Sequence, residues 1–75
     1  MVDKTLDARG LRCPLPILKA RKAILDLSVG GVLEVLATDP GSREDFQVFA
    51  QTTGHVLVSE QEENGVFVFV LRRTR

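Results

Sequence analysis

Asn64-Gly65 stands between two β-rich runs, Val56–Glu62 and Val66–Arg72. Asn-Gly is the pair that most readily supplies the left-handed backbone of a tight hairpin turn. The C-terminal third is thereby directed into an antiparallel hairpin reversing at Glu63-Asn64-Gly65, and Val66-Phe67-Val68-Phe69-Val70-Leu71 favours strand at every position. Ahead of it the period changes. Phe46, Phe49, Ala50 and Thr53 recur at i, i+3, i+4 and i+7, a helical spacing with an aromatic seam, and Gly54 closes it. Thr38-Asp39-Pro40-Gly41 is a turn in front of that helix. Asp39 or Ser42 is the expected cap, and Ser42 with Asp45 three residues on resembles a capping box with a shorter acid.

The N-terminal half repeats the alternation. Thr5–Ala8 reads as a short strand. Pro14–Ser28 reads as a helix: Ile17, Ala20, Ile24 and Leu27 form one stripe, Lys19, Lys22 and Asp26 face water, and Arg21 snorkels from within the apolar arc. Gly30-Gly31 ends it. Val32–Ala37 is apolar apart from Glu34 and is expected to be covered on much of both faces.

The order is therefore β-α-β-α-β-β, and 75 residues allow one domain, spanning 1–75. Such a chain buries only about 60% of the surface its unfolded form exposes. Two helices cannot cover both faces of a four-stranded sheet at this length. The expected fold is a two-layer α/β sandwich: a mixed sheet, both helices on one face, the other face partly open.

Composition excludes several functions. Ten basic residues balance ten acidic ones, which disfavours direct nucleic-acid binding. One cysteine permits neither an internal disulfide nor a CxxC pair, and one cysteine with one histidine is too little for an ordinary zinc site. With no signal peptide and no apolar run of spanning length, the expectation is a cytoplasmic protein without a membrane partner, where a free thiol stays reduced.

The chemically loaded segment is Arg9-Gly10-Leu11-Arg12-Cys13-Pro14-Leu15-Pro16. Pro14 suits the first helical position and pushes Cys13 toward an N-cap conformation. Pro16 falls within the first turn, where N–H groups have no intrahelical partner. A thiolate at Cys13 is then expected to accept from the Leu15 N–H, favoured by the helix dipole and by Arg12 and Arg9. Those influences lower a thiol pKa from its reference of about 8.5. The bland alternative is that Cys13 is a small core filler, as most free cysteines are.

Leu6-Asp7-Ala8-Arg9-Gly10-Leu11-Arg12-Cys13-Pro14-Leu15-Pro16 resembles the signature of the TusA/SirA-like sulfurtransferases, whose hallmark is a CPxP cysteine motif. The resemblance continues through Arg21-Lys22, Asp39-Pro40 and Asp45 to the hairpin, so it spans essentially the whole chain. It implies a two-layer α/β sandwich forming a sulfur-carrier domain, with Cys13 holding sulfur as a covalent persulfide. It also implies loading by a cysteine desulfurase or another persulfide donor, then delivery to an acceptor protein, with no separate cofactor and no metal. Many tRNA-thiolation members resemble CPEP, whereas Leu15 stands between the prolines here, so tRNA thiolation, sulfur oxidation, molybdenum cofactor supply and selenium handling all stay open.

The remaining polar residues have two readings each. Asp7 either orients the cysteine loop through backbone N–H groups or faces solvent as a strand residue. Asp39 and Asp45 cap and charge the second helix, with partner docking as their other reading, and Arg43 is a docking candidate at the same sheet end. Leu71-Arg72-Arg73-Thr74-Arg75 reads as an edge-strand guard, with docking second. His55 reads as a surface histidine. The alternative to sulfur transfer is a non-catalytic interaction or regulatory module that uses the open sheet face.

Overall fold

The computed structural model describes residues Met1–Arg75. In order it contains β1 (Lys4–Ala8), α1 (Leu15–Leu25), β2 (Val32–Ala37), α2 (Ser42–Thr53), β3 (Val56–Glu63) and β4 (Val66–Arg72). Asn64 and Gly65 both have positive φ, 54° and 81°, and form a two-residue turn that sets Glu63 opposite Val66. The turn is one residue shorter than expected, because β3 runs on through Glu63.

The sheet order is β1-β2-β4-β3. β1 and β2 are parallel, with Leu6 opposite Val35 and Ala8 opposite Ala37; β4 is antiparallel to both β2 and β3. β4 is therefore a central strand, and its arginine-rich end does not guard an edge. The edges are β1 and β3, and β3 is blunted by a register shift between Leu57 and Ser59 and by Glu60, Glu62 and Glu63.

Alternation along the strands explains the two layers. Leu33, Val35 and Ala37 of β2 and Phe67, Phe69 and Leu71 of β4 are buried, and they pack with Ala20, Ala23 and Ile24 of α1 and Phe46 and Phe49 of α2. Phe46 stacks on Phe69 with ring centroids 4.4 Å apart, joining α2 to the middle of the sheet. The opposite face carries Val32, Glu34 and Leu36 with Val66, Val68 and Val70, all only half-buried. β2 is thus covered on one face and not on both, since no element packs against the second. No helix is long and apolar enough to cross a membrane.

α1 ends at Leu25, earlier than its apolar period suggests. The cause is tertiary. Arg73, just beyond β4, hydrogen-bonds the carbonyl oxygens of Leu25 and Leu27 through Nη1, supplying donors that a further helical turn would have provided. Arg73 and Gly31 also pair through the backbone, Arg73 N–H to Gly31 O at 2.9 Å. α2 ends as expected, with Gly54 at φ 84° and its N–H on the Ala50 carbonyl.

Candidate functional site

Two consecutive βα units with parallel strands place both helix starts beyond the same ends of the strands, where sites collect in such sheets. Here the β1–α1 loop (residues 9–14) meets the β2–α2 turn (residues 38–41). Gly10, at φ 82°, donates its N–H to Thr38 Oγ1 at 2.9 Å, and Leu11 packs partly buried against the core. The loop is thereby fixed immediately ahead of Arg12-Cys13. Gly41 lies close by: a Cβ on it would sit 3.5 Å from Cys13 Cβ, 3.7 Å from Sγ and 3.0 Å from Asp39 Oδ2. A side chain at position 41 would crowd the Asp39 carboxylate, while its distances to Cys13 are those of ordinary packing.

Cys13 is exposed and free, so it is not a core filler. Its surroundings differ from the expected ones. Pro14, joined to it by a cis peptide bond, occupies the N-cap position, and Leu15 is the first helical residue, with Pro16 following. The Leu15 N–H bonds the Arg12 carbonyl at 2.8 Å instead of the sulfur. Cys13 Sγ instead donates to Asp45 Oδ2 on α2, at 2.5 Å. That hydrogen bond, partial burial and the negative charges of Asp45 and Asp39 push the thiol up to about 11. The expected lowering does not occur, because a carboxylate takes the place of the helix N–H as the sulfur's partner.

The arginines do not reverse this. Arg9 is held by Asp7: its backbone N–H and Nε reach Oδ1 at 3.1 and 2.9 Å, and Nη2 reaches Oδ2 at 2.9 Å. The fork holds the Asp7 carboxyl at about 2, through the Arg9 side chain first and its backbone second. Asp7 thus does orient the loop through a backbone N–H, at Arg9. Arg12 is exposed and makes no side-chain hydrogen bond or ion pair. Arg43 is paired with Glu60 of β3 at 2.8 Å, with Gln47 on the same carboxylate, so it braces α2 against the sheet.

The capping box does not form. Gly41 is the N-cap of α2, and no side chain caps it. Asp39 Oδ2 accepts the Gly41 N–H at 2.9 Å, while the Ser42 hydroxyl is buried without a hydrogen-bond partner. Asp45, the expected second half of the box, is engaged with Cys13. It still lies in the first turn of α2 beside Glu44, where negative charge is favoured.

Between the helices a groove of about 270 Å³ opens beside Pro14 and Asp45, with Ile17, Arg21, Val48 and Phe49 among its walls. Arg21 lies over the Phe49 ring, 5.5 Å from its centroid, so the snorkelling side chain ends on an aromatic face.

His55 is not a surface residue. It is 7% exposed, and its Nδ1 accepts the Thr74 N–H at 3.1 Å. The tail accounts for its position. Thr74 Oγ1 binds the Gly54 carbonyl and Arg75 Nε the Thr53 carbonyl, folding the C-terminus over the end of α2.

The sequence placed the sulfur's loop and both helix starts, but not the Cys13–Asp45 bond. A signal was available: parallel β1 and β2 bring the starts of α1 and α2 to one end, so acids opening α2 lie near a cysteine preceding α1.

Residues 4–73 match the family model described as sulfurtransferase TusA. The chain is 51% identical over 72 residues to the sulfur carrier protein TusA of Allochromatium vinosum, covering 96% of this chain and 95% of that one. It is 45% identical over 71 residues to the sulfur carrier protein TusA of Pseudomonas entomophila, covering 95% and 89%. Its fold is similar to the crystal structure of a SirA-like protein from Desulfitobacterium hafniense, with a TM-score of 0.83, 32% identity, and coverage of 96% of this chain and 99% of that one. A two-layer sandwich that presents one cysteine where its two helices begin, matched along nearly its whole length, makes this chain a member of the TusA family.

Proposed function

We propose that this protein is a sulfur carrier that holds sulfur as a persulfide on Cys13 and relays it between proteins. The observation that carries the reading is a single free, exposed cysteine on a braced loop, in a chain of the TusA family. In loading, Cys13 sulfur attacks the outer sulfur of a donor persulfide. A new S–S bond forms, the donor's S–S bond breaks, and its electron pair leaves with the donor's inner sulfur as a thiolate. In delivery, an acceptor thiolate attacks the outer sulfur of the Cys13 persulfide and Cys13 leaves as the thiolate. Nothing is oxidised or reduced overall.

Lack of a second cysteine suits this relay. A neighbouring thiol would attack the persulfide and close a disulfide, discharging the cargo. The groove beside Pro14 and Asp45 is the contact surface for the donor or acceptor, with Asp39 on the neighbouring β2–α2 turn. A cysteine desulfurase or another persulfide donor supplies the sulfur.

The test is intact-protein mass spectrometry after incubation with a cysteine desulfurase and free cysteine, and separately with polysulfide. A reductant-sensitive gain of about 32 Da on the wild type and none on Cys13→Ser is expected. No gain from either donor would overturn the reading. It would favour a binding module using the half-buried Val32, Leu36, Val66, Val68 and Val70 face, whose partner binding would survive Cys13→Ser.

A further inference from the structure

Asp45 and Cys13 come from different elements, 32 positions apart, yet their side chains are hydrogen-bonded. A thiolate and a carboxylate do not share such a contact, because two like charges side by side disfavour joint ionisation. One proton must lie between them, and a thiol is the weaker acid, so it resides on sulfur. Asp39 adds a second negative charge on the adjoining turn. The other charged groups of this end are Glu44 next to Asp45, Arg21 across the groove, and Arg9 and Arg12 on the cysteine's own loop. None of them is bonded to the sulfur, and Arg9 is held in its fork by Asp7.

We propose that Asp45 is a positioning residue that keeps the empty carrier inert: it holds Cys13 as a protonated thiol, aimed at α2, until the carboxylate is displaced. This rests on the persulfide reading of Cys13 and adds to it a resting state. The net exchange, Cys13–SH plus R–S–SH giving Cys13–S–SH plus R–SH, conserves protons and electrons. Retaining the proton on Cys13 slows attack, because the thiolate is the nucleophile, and the exchange needs no further co-reactant. The same bond is the first cause of the rise of the thiol to about 11.

The experiment is the rate of iodoacetamide alkylation of the full chain between pH 6 and about pH 11.5, for wild type, Asp45→Asn and Glu44→Gln. Asp45→Asn keeps the shape and removes the charge. Its inflection is expected to fall toward the ordinary thiol range, and its rate at pH 7 to rise about tenfold. The thiolate fraction grows about a hundredfold, while lower basicity gives back roughly a factor of ten. At the top of the pH range the order reverses, because the wild-type thiolate is then formed and is the stronger nucleophile. An unfolded chain would also expose an ordinary thiol, so Asp45→Asn is compared only where its circular dichroism spectrum and melting show it folded. Glu44→Gln removes an equal charge from the same helical turn without touching sulfur and is expected to shift the profile much less. Superimposable profiles for wild type and Asp45→Asn would overturn the proposal. So would a wild-type inflection at or below about 8.5, which needs no variant to fold. Alkylation requires no sulfur donor, so this result stands apart from the mass-spectrometric test of loading.

Discussion

The two ends of the sandwich use the same helix electrostatics for different purposes. At one end both helices begin. Asp39 lies on the turn and Glu44 and Asp45 in the first turn of α2, with Cys13 against Asp45, while Arg9 and Arg12 stand on the loop before α1. At the other end both helices finish. Arg73 binds the carbonyls of Leu25 and Leu27, Arg75 binds that of Thr53, His55 is buried beneath Thr74, and Asp26 caps α1. The acids of α2 and the arginines of the tail lie where a helix dipole favours them, whereas Arg9 and Arg12 before α1 and Asp26 after it do not. The difference between the ends lies in closure. One meets backbone carbonyls and is sealed by the tail, whereas the other leaves a thiol exposed beside a groove. One end is built for stability and the other for chemistry.

Substitutions at the two ends should separate those roles. The largest effect expected is at the open end: Cys13→Ser abolishes sulfur loading, yet its melting temperature stays close to wild type because the side chain is exposed. A large loss of stability in that variant would show that the ends are not separable. Next comes Arg73→Ala at the closed end, which leaves carbonyls of α1 without their donor. Hydrogen bonds to charged groups contribute about 1.5–3 kcal/mol, so a drop in melting temperature of roughly 6–24 °C is expected for a domain of this size. Sulfur loading by the folded fraction should persist.

A third test uses pH. His55 Nδ1 accepts a hydrogen bond, so only the neutral ring fits, and burial followed by the charges of Arg73 and Arg75 lowers its pKa. The folded value lies below the unfolded one of about 6.5. The stabilising contribution is therefore fully present above about pH 6.5 and is lost as pH falls through that value toward the folded pKa. Denaturant midpoints measured from pH 7.5 down to 5 should decline in the wild type and flatten in His55→Gln. Equal slopes would remove His55 from the account of the closed end.

The smallest effect belongs to the Asp7–Arg9 fork. Both groups are exposed, and such pairs add little to stability. Asp7 is held at about 2, so whatever it contributes is present above about pH 4 and disappears as pH falls toward 2. Asp7→Asn should leave neutral-pH melting nearly unchanged while the cysteine loop loosens, read as faster hydrogen exchange at the Arg9 and Gly10 amides.

Much of the architecture was legible in the residues. The Asn64-Gly65 turn, the Phe46/Phe49 spacing and the alternation of strand and helix periods specify β-α-β-α-β-β, since each is a local pattern with a local cause. The misreadings have two origins. Cys13 was expected to face its own helix and be acidified by Arg9 and Arg12, Ser42 and Asp45 to cap α2, His55 to be exposed, and the arginine tail to guard an edge. Cys13, His55 and Arg73 each have a partner far away in sequence: Asp45, Thr74, and Leu25 with Leu27. Arg9 is instead taken by Asp7, two residues before it, and the Ser42 hydroxyl has no partner.

By itself, then, the sequence determined the element order, the helix stripe and strand periods, and the cysteine motif that carries the family resemblance. Period, turn chemistry and motif act within a few residues and survive without knowledge of the fold. Tertiary structure alone decided which charges meet. Once parallel β1 and β2 set the starts of α1 and α2 side by side, a carboxylate reached the sulfur and reversed the sign of its pKa shift. Over a few ångströms the nearest charge outweighs more distant ones, and which charge is nearest depends on packing.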